Sequence, residues 1–173
     1  MFGICCRAVP RRAVALAAAC GAFGLSLVLT PPDAAAQGSH EITVTVLSFK
    51  ALDKADELSA GDFFARIRID GKSAFSPELT GQSEFKPNWT LTLPASGGKV
   101  SVNLALIDKD LSVDDPIDIN RLPNKRDLDF TVDTRTGRIE GFSQTYKTGQ
   151  TITREGAEQK KATISFKVDV RKK

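Results

Sequence analysis

Apolar and polar residues alternate one by one along most of the chain beyond residue 40, which is the period of half-buried β-strands. Ile42, Val44 and Val46 are separated by threonines, and the same spacing returns from Ile164 to Val170. The predicted strands lie at about 42–46, 64–69, 75–79, 89–93, 100–107, 130–132, 139–142 and 164–170. Short strands separated by turn residues predict an all-β fold, either an antiparallel sandwich or a barrel.

Two segments near the C-terminus are predicted to connect strands. The sequence Thr-Arg-Thr-Gly at 134–137 predicts a hairpin turn. Residues 147–161 are mostly polar, and we expect them to form a loop or a short exposed helix.

The first 36 residues have the arrangement of a secretory signal peptide. Three arginines precede an apolar run from Ala13 to Leu29, prolines 31 and 32 end the run, and Ala34 to Ala36 provide the small residues that a signal peptidase requires. We therefore expect cleavage near Ala36, a mature domain over 37–173, and a periplasmic or secreted protein of bacterial source. Because the apolar run approaches the roughly 20 residues that span a bilayer, an uncleaved membrane anchor is the alternative.

Removal of this leader changes the chemistry available to the mature domain. All three cysteines, Cys5, Cys6 and Cys20, lie in the leader, so the mature domain has no disulfide and no thiolate metal site. The net charge falls from +3 to +1, because three arginines and Asp33 are lost. This balance gives no electrostatic reason to expect nucleic acid as a partner.

Candidate catalytic residues are few in the mature domain. It has one histidine, His40, close to its start, and it contains no nucleophile elbow, phosphate-binding loop or His-Glu-x-x-His motif. We therefore expect a binding protein and not an enzyme.

Two acidic segments lie at the ends of predicted strands. Asp56 and Asp62 come before the strand at 64–69, and three more aspartates follow the strand at 100–107: Asp108, Asp110 and Asp114. Ca²⁺ binds about six to eight oxygen ligands, mostly from carboxylates and carbonyls on loops. Aspartates are also common in solvated turns, so each segment alone leaves both interpretations open.

Taken together, the two segments resemble the C2 domain, the calcium- and lipid-binding β-sandwich of protein kinase C and the synaptotagmins. The first loop of that family carries two aspartates six residues apart, as Asp56 and Asp62 are here. Its third loop carries the pattern matched by Asp108, Asp110 and Asp114. Between these loops a proline stands two residues before an aromatic that begins a strand, as at 87–89. The match covers residues 41 to about 120 and fades beyond them.

The resemblance implies an eight-stranded antiparallel β-sandwich that binds Ca²⁺ through these five aspartates at one end, with Asp115 as a reserve ligand. It also implies that a monomer binds an anionic phospholipid membrane, or a protein partner, in a calcium-dependent way. The side chains on the same loops that could enter a membrane interface, or else pack within their loops, are Leu58, Leu111 and Val113.

Three basic residues are candidates for a patch that binds acidic lipid in the way this family does. They are Arg66, Arg68 and Lys72. An ordinary solvated outer face is the other interpretation of the same residues.

Export alters what calcium is expected to do. Outside the cytoplasm calcium is plentiful, so sites with a Kd of about 10⁻⁴–10⁻³ M can stay filled. The alternative function is therefore a structural or protein-interaction β-sandwich in which calcium only rigidifies the loops.

Overall fold

A computed structural model of the chain describes residues 40–52, 61–110 and 114–173. The expected signal peptide and its cleavage position lie outside these ranges. Within the described part of the chain, no helix is long and apolar enough to cross a membrane.

The described residues form strands joined by turns. In chain order the strands are β1 (His40–Ala51), β2 (Phe63–Ile69), β3 (Lys72–Phe75), β4 (Glu84–Phe85), β5 (Trp89–Ala95), β6 (Lys99–Asp108), β7 (Asp115–Ile117), β8 (Leu128–Asp133), β9 (Arg138–Glu140), β10 (Tyr146–Lys147), β11 (Thr151–Glu155) and β12 (Ala162–Lys172). Among the described residues, eight strands have four or more residues, namely β1, β2, β3, β5, β6, β8, β11 and β12. The prediction of an all-β antiparallel sandwich is confirmed.

The strands form two antiparallel sheets. In the first sheet the order is β11-β12-β1, and the free edge of β1 pairs with β5 and then with β4. In the second the order is β10-β9-β8-β6-β2-β3, and β7 pairs with the end of β6. The apolar residues that alternate along β1, β5, β6 and β12 point into one core shared by the two sheets.

The main difference from the sequence prediction lies in the polar segment at 147–161. Thr151–Glu155 is not a loop or helix but an edge strand, β11, paired with β12 from Lys167 to Thr163. Ile152 is the only residue of this strand that is fully buried. Its alternation was therefore too weak to predict a strand.

A smaller difference concerns the strand predicted at 75–79. The strand there is β3, which ends at Phe75, and Asp70-Gly71 forms the tight turn between β2 and β3. Asp70 and Gly71 both have positive φ, which the short loop requires. Leu79 forms an isolated bridge with Phe63.

Candidate metal centre

Strand pairing brings three aspartates to one end of the second sheet. Phe63 at the start of β2 pairs with Asp108 at the end of β6, so Asp62 lies next to Asp108. On the other side of β6, Asp108 pairs with Asp115 at the start of β7. The acidic segments that are far apart in sequence therefore meet in space. We call Asp62, Asp108, Asp110, Asp114 and Asp115 the aspartate end.

Hydrogen bonds fix the two strands that meet there. The backbone N–H of Asp62 donates to Oδ1 of Asp108 at 2.8 Å, and the N–H of Lys109 donates to the carbonyl of Asp62 at 2.8 Å. A Cβ atom at Gly61 would lie 2.6 Å from the Phe63 ring and 2.9 Å from Oδ1 of Asp108. The approach to β2 therefore needs glycine at 61.

A layer of aromatic rings supports the aspartate end from inside the core. Phe49 lies 5.3 Å from Phe63, 5.1 Å from Phe85 and 5.6 Å from Trp89, measured between ring centroids. Trp89 begins β5, as the proline and aromatic at 87–89 predict. Since Phe63 follows Asp62 directly, this rigid layer sets the position from which the Asp62 side chain leaves the sheet.

Asp108 lies in an environment that disfavours a bare negative charge. Burial raises the pKa of its carboxyl, and the charges of Asp110 and Asp62 raise it further. The N–H of Asp62 and the positive charge of Lys160 act in the opposite direction but do not cancel the effect. A bound cation would relieve this repulsion.

Asp115 and Lys109 form ion pairs beside Asp108. The ammonium of Lys160 contacts Oδ2 of Asp115 and lowers the pKa of that carboxyl through a hydrogen bond and through its charge. Lys109 binds Oε2 of Glu78 at 2.7 Å, which raises the pKa of the lysine. Positive charge therefore already lies close to the carboxylates of the aspartate end.

Of the predicted metal ligands, Asp62 lies beside Asp108, and Asp110 lies near enough for its charge to raise the pKa of Asp108. Asp114 lies exposed just before β7. The other residues expected here lie outside the described part of the chain: Asp56, Leu58, Leu111 and Val113.

The three predicted basic residues do not form one surface. Arg66 and Arg68 share the outer face of β2, whereas Lys72 pairs with core-facing Ile69 and so belongs to the opposite face. Arg66 is half-buried and its guanidinium contacts Asp127 at 3.1 Å. The groove of about 430 Å³ beside it has equal numbers of basic and acidic side chains, namely Arg66, Lys125, Arg126, Asp114, Asp127 and Asp129.

The donor chemistry of the aspartate end fits a hard cation, because carboxylate and backbone carbonyl oxygens are the ligands that Ca²⁺ prefers. In the conformation described, no three histidine, cysteine, aspartate or glutamate side chains within residues 40–52, 61–110 and 114–173 are placed to hold a metal ion together. Binding would therefore require the carboxylates to turn toward a common point.

Two residues of this end were not predicted to take part in it. Lys160 lies in the polar segment at 147–161, where no motif distinguishes it from Lys161. Gly61 gave no signal either, because the need for glycine appears only once Phe63 and Asp108 are placed. Asp115, expected as a reserve, faces Lys160.

Comparison with known proteins gives a result at the level of structure only. No protein-family model and no curated protein matches the sequence. Solved structures do match. One is human GIVD cytosolic phospholipase A2, which aligns with 80% of this chain at a TM-score of 0.54 and 17% sequence identity. This chain spans only 17% of the length of that enzyme.

Two further structures contain C2 domains of extended synaptotagmins. A single C2 domain of plant Extended Synaptotagmin 1 covers 79% of this chain, and 96% of its own length is matched, with a TM-score of 0.54 and 10% identity. The calcium-bound pair of C2 domains of Extended-Synaptotagmin 2 covers 79% of this chain and is itself matched over 46%, with a TM-score of 0.53 and 12% identity. At such identities the likeness concerns the fold, and the fold of this chain is that of a C2 domain.

Proposed function

We propose that this protein is an exported calcium-binding module that attaches to anionic phospholipid membranes through its aspartate end. The observation that carries the proposal is the register of β2, β6 and β7, which places Asp62, Asp108 and Asp115 on neighbouring strand ends. Asp108 carries a carboxyl that is partly buried beside two other carboxylates, a setting that favours a bound cation.

The role of calcium in this proposal is electrostatic. The aspartate end is acidic, so it repels an anionic headgroup until bound cations reverse the local charge. A reversed charge then attracts the surface of a membrane rich in anionic lipid. The calcium-bound state of Extended-Synaptotagmin 2, which shares this fold, supports calcium as the cation.

Sedimentation with phosphatidylserine vesicles tests this proposal. We expect the wild-type protein to pellet with the vesicles in millimolar calcium and to stay in the supernatant with chelator. The double variant Asp108→Asn/Asp110→Asn should stay in the supernatant in both conditions, because it lacks two of the proposed ligands.

A matched control is Asp70→Asn/Asp133→Asn, which removes the same charge at the opposite end of the sandwich. Asp70 follows the end of β2, and Asp133 pairs with Lys99 at the start of β6. This variant should pellet like the wild type. Pelleting that is independent of calcium, or equal in both double variants, contradicts the proposal.

One outcome would favour the alternative function. If the protein binds calcium but no vesicles of any anionic composition, calcium serves to order the loops of a structural or protein-interaction module. Catalysis forms no part of either proposal.

A further inference from the structure

Lys160 occupies an unusual position in the loop between β11 and β12. Its φ is +56°, in the left-handed region that residues other than glycine, asparagine and aspartate seldom adopt. A lysine held in this conformation indicates that the surrounding structure fixes the loop in place.

The residue that fixes the loop is Asp118, which is buried and 1% exposed. Its carboxylate accepts hydrogen bonds from the N–H groups of Ala157 at 2.8 Å and Glu158 at 2.7 Å. Its own N–H donates to the carbonyl of Lys160 at 2.8 Å. A Cβ atom at Gly156 would clash with the carbonyl oxygen of Asp118, so the loop passes as closely as glycine allows.

This anchored loop directs the Lys160 side chain to the aspartate end. The ammonium contacts the Asp115 carboxylate, and its charge also acts on Asp108. Asp115 is paired with Asp108 in the β-ladder. Lys160 therefore supplies one positive charge among the carboxylates that a cation would use.

We propose that Lys160 is a tethered counter-cation that competes with Ca²⁺ for the aspartate end and so raises the calcium concentration needed to fill it. This inference rests on the proposed calcium binding and adds a mechanism that sets its affinity. A unit positive charge a few ångströms from a divalent cation repels it, and the Asp115 carboxylate must leave the lysine to turn toward the metal. Removing the ammonium removes both obstacles.

The test is calcium titration calorimetry on the wild-type protein and on Lys160→Gln. We expect the variant to bind calcium about tenfold more tightly. A second variant, Lys160→Asn, removes the same charge with a residue that accepts the left-handed conformation, and it should show the same gain. Far-UV circular dichroism and a melting curve establish that both variants fold.

The matched control is Lys99→Gln. Lys99 is also ion-paired, with Glu140 at 3.0 Å, but it lies at the start of β6 and so at the opposite end of that strand from Asp108. The Lys99→Gln variant should bind calcium with the wild-type affinity. A melting curve in chelator gives a readout that does not depend on calcium, and there Lys160→Gln should melt below both the wild type and Lys99→Gln.

The outcomes separate this inference from the proposed function. If the wild type and Lys160→Gln bind calcium with equal affinity, the tethered counter-cation is wrong and calcium binding stands. If neither binds calcium, both proposals are wrong. If both proteins bind calcium and the variant binds it about tenfold more tightly, the inference is supported.

Discussion

Phe49 and Phe75 show how differently the same residue type contributes within this sandwich. Phe49 is 1% exposed and contacts three aromatic rings below the aspartate end. Phe75 is 61% exposed and has one ring neighbour, Phe64, at 6.3 Å on the outer face of the second sheet. Burial, more than residue type, determines the free energy that each ring contributes.

We therefore expect Phe49→Ala to lower the free energy of unfolding by about 3–5 kcal/mol, through lost burial and the cavity that remains. Phe75→Ala is the matched control, with an expected change of less than about 1 kcal/mol. Urea denaturation followed by the fluorescence of Trp89, the only tryptophan of the chain, measures both. Equal losses of unfolding free energy in the two variants would show that the aromatic layer does not support the aspartate end.

At the scale of elements, the loop between β11 and β12 depends on one buried carboxylate. The Asp118 carboxylate accepts hydrogen bonds from the backbone N–H groups of Ala157 and Glu158. It accepts a third from the N–H of Asn120, with 2.9 Å between nitrogen and oxygen. Buried acceptors that serve several donors are costly to remove, because each donor loses its partner away from water.

We expect Asp118→Ala to lower the free energy of unfolding by roughly 3 kcal/mol, since three backbone donors lose their acceptor. Asp133→Ala is the matched comparison. The Asp133 carboxylate also accepts hydrogen bonds from two backbone N–H groups, in the turn after β8, but it lies nearer the solvent. Asp133→Ala should lower the free energy of unfolding clearly less than Asp118→Ala does in the same denaturation experiment. A larger effect at Asp133 than at Asp118 would contradict the anchoring role.

The elements differ in how well the sequence predicts them, for a physical reason. β1, β6 and β12 lie inside the sheets and β5 lies at an edge beside β1, but all four carry alternating apolar residues over most of their length, so the sequence predicts their positions. β11 is an edge strand with one fully buried residue, and β4, β7 and β10 have two or three residues each. Such strands form because a neighbouring strand has unpaired backbone groups to bond with. The apolar and polar pattern of the short strand itself does not predict this pairing.

The residues of the candidate site also differ in how well the sequence predicts them. The aspartates can be singled out as candidates because their spacing is local within each segment. The position of Lys160 depends on Asp118, more than 40 residues earlier in the chain, and on the bridge between Asp118 and Lys161. Contacts of this range follow from the fold and leave no spacing pattern in the sequence.

The molecule as a whole combines a C2 fold with proposed export. Outside the cytoplasm, sites with a Kd of about 10⁻⁴–10⁻³ M are still occupied, so an internal lysine that weakens calcium binding is compatible with function. The proposed export also means that the calcium level at this protein is set by its surroundings and not by cytoplasmic signals.

Calcium binding itself is best measured by titration calorimetry on the purified protein, beside the variant Asp108→Asn/Asp110→Asn. Asparagine at 108 keeps an oxygen that can accept the N–H of Asp62, so the strand ends should stay in place. We predict that millimolar calcium gives a saturable heat and a raised Tm for the wild type, and neither for the variant. A wild-type protein that shows no heat and no change of Tm at millimolar calcium would contradict the account.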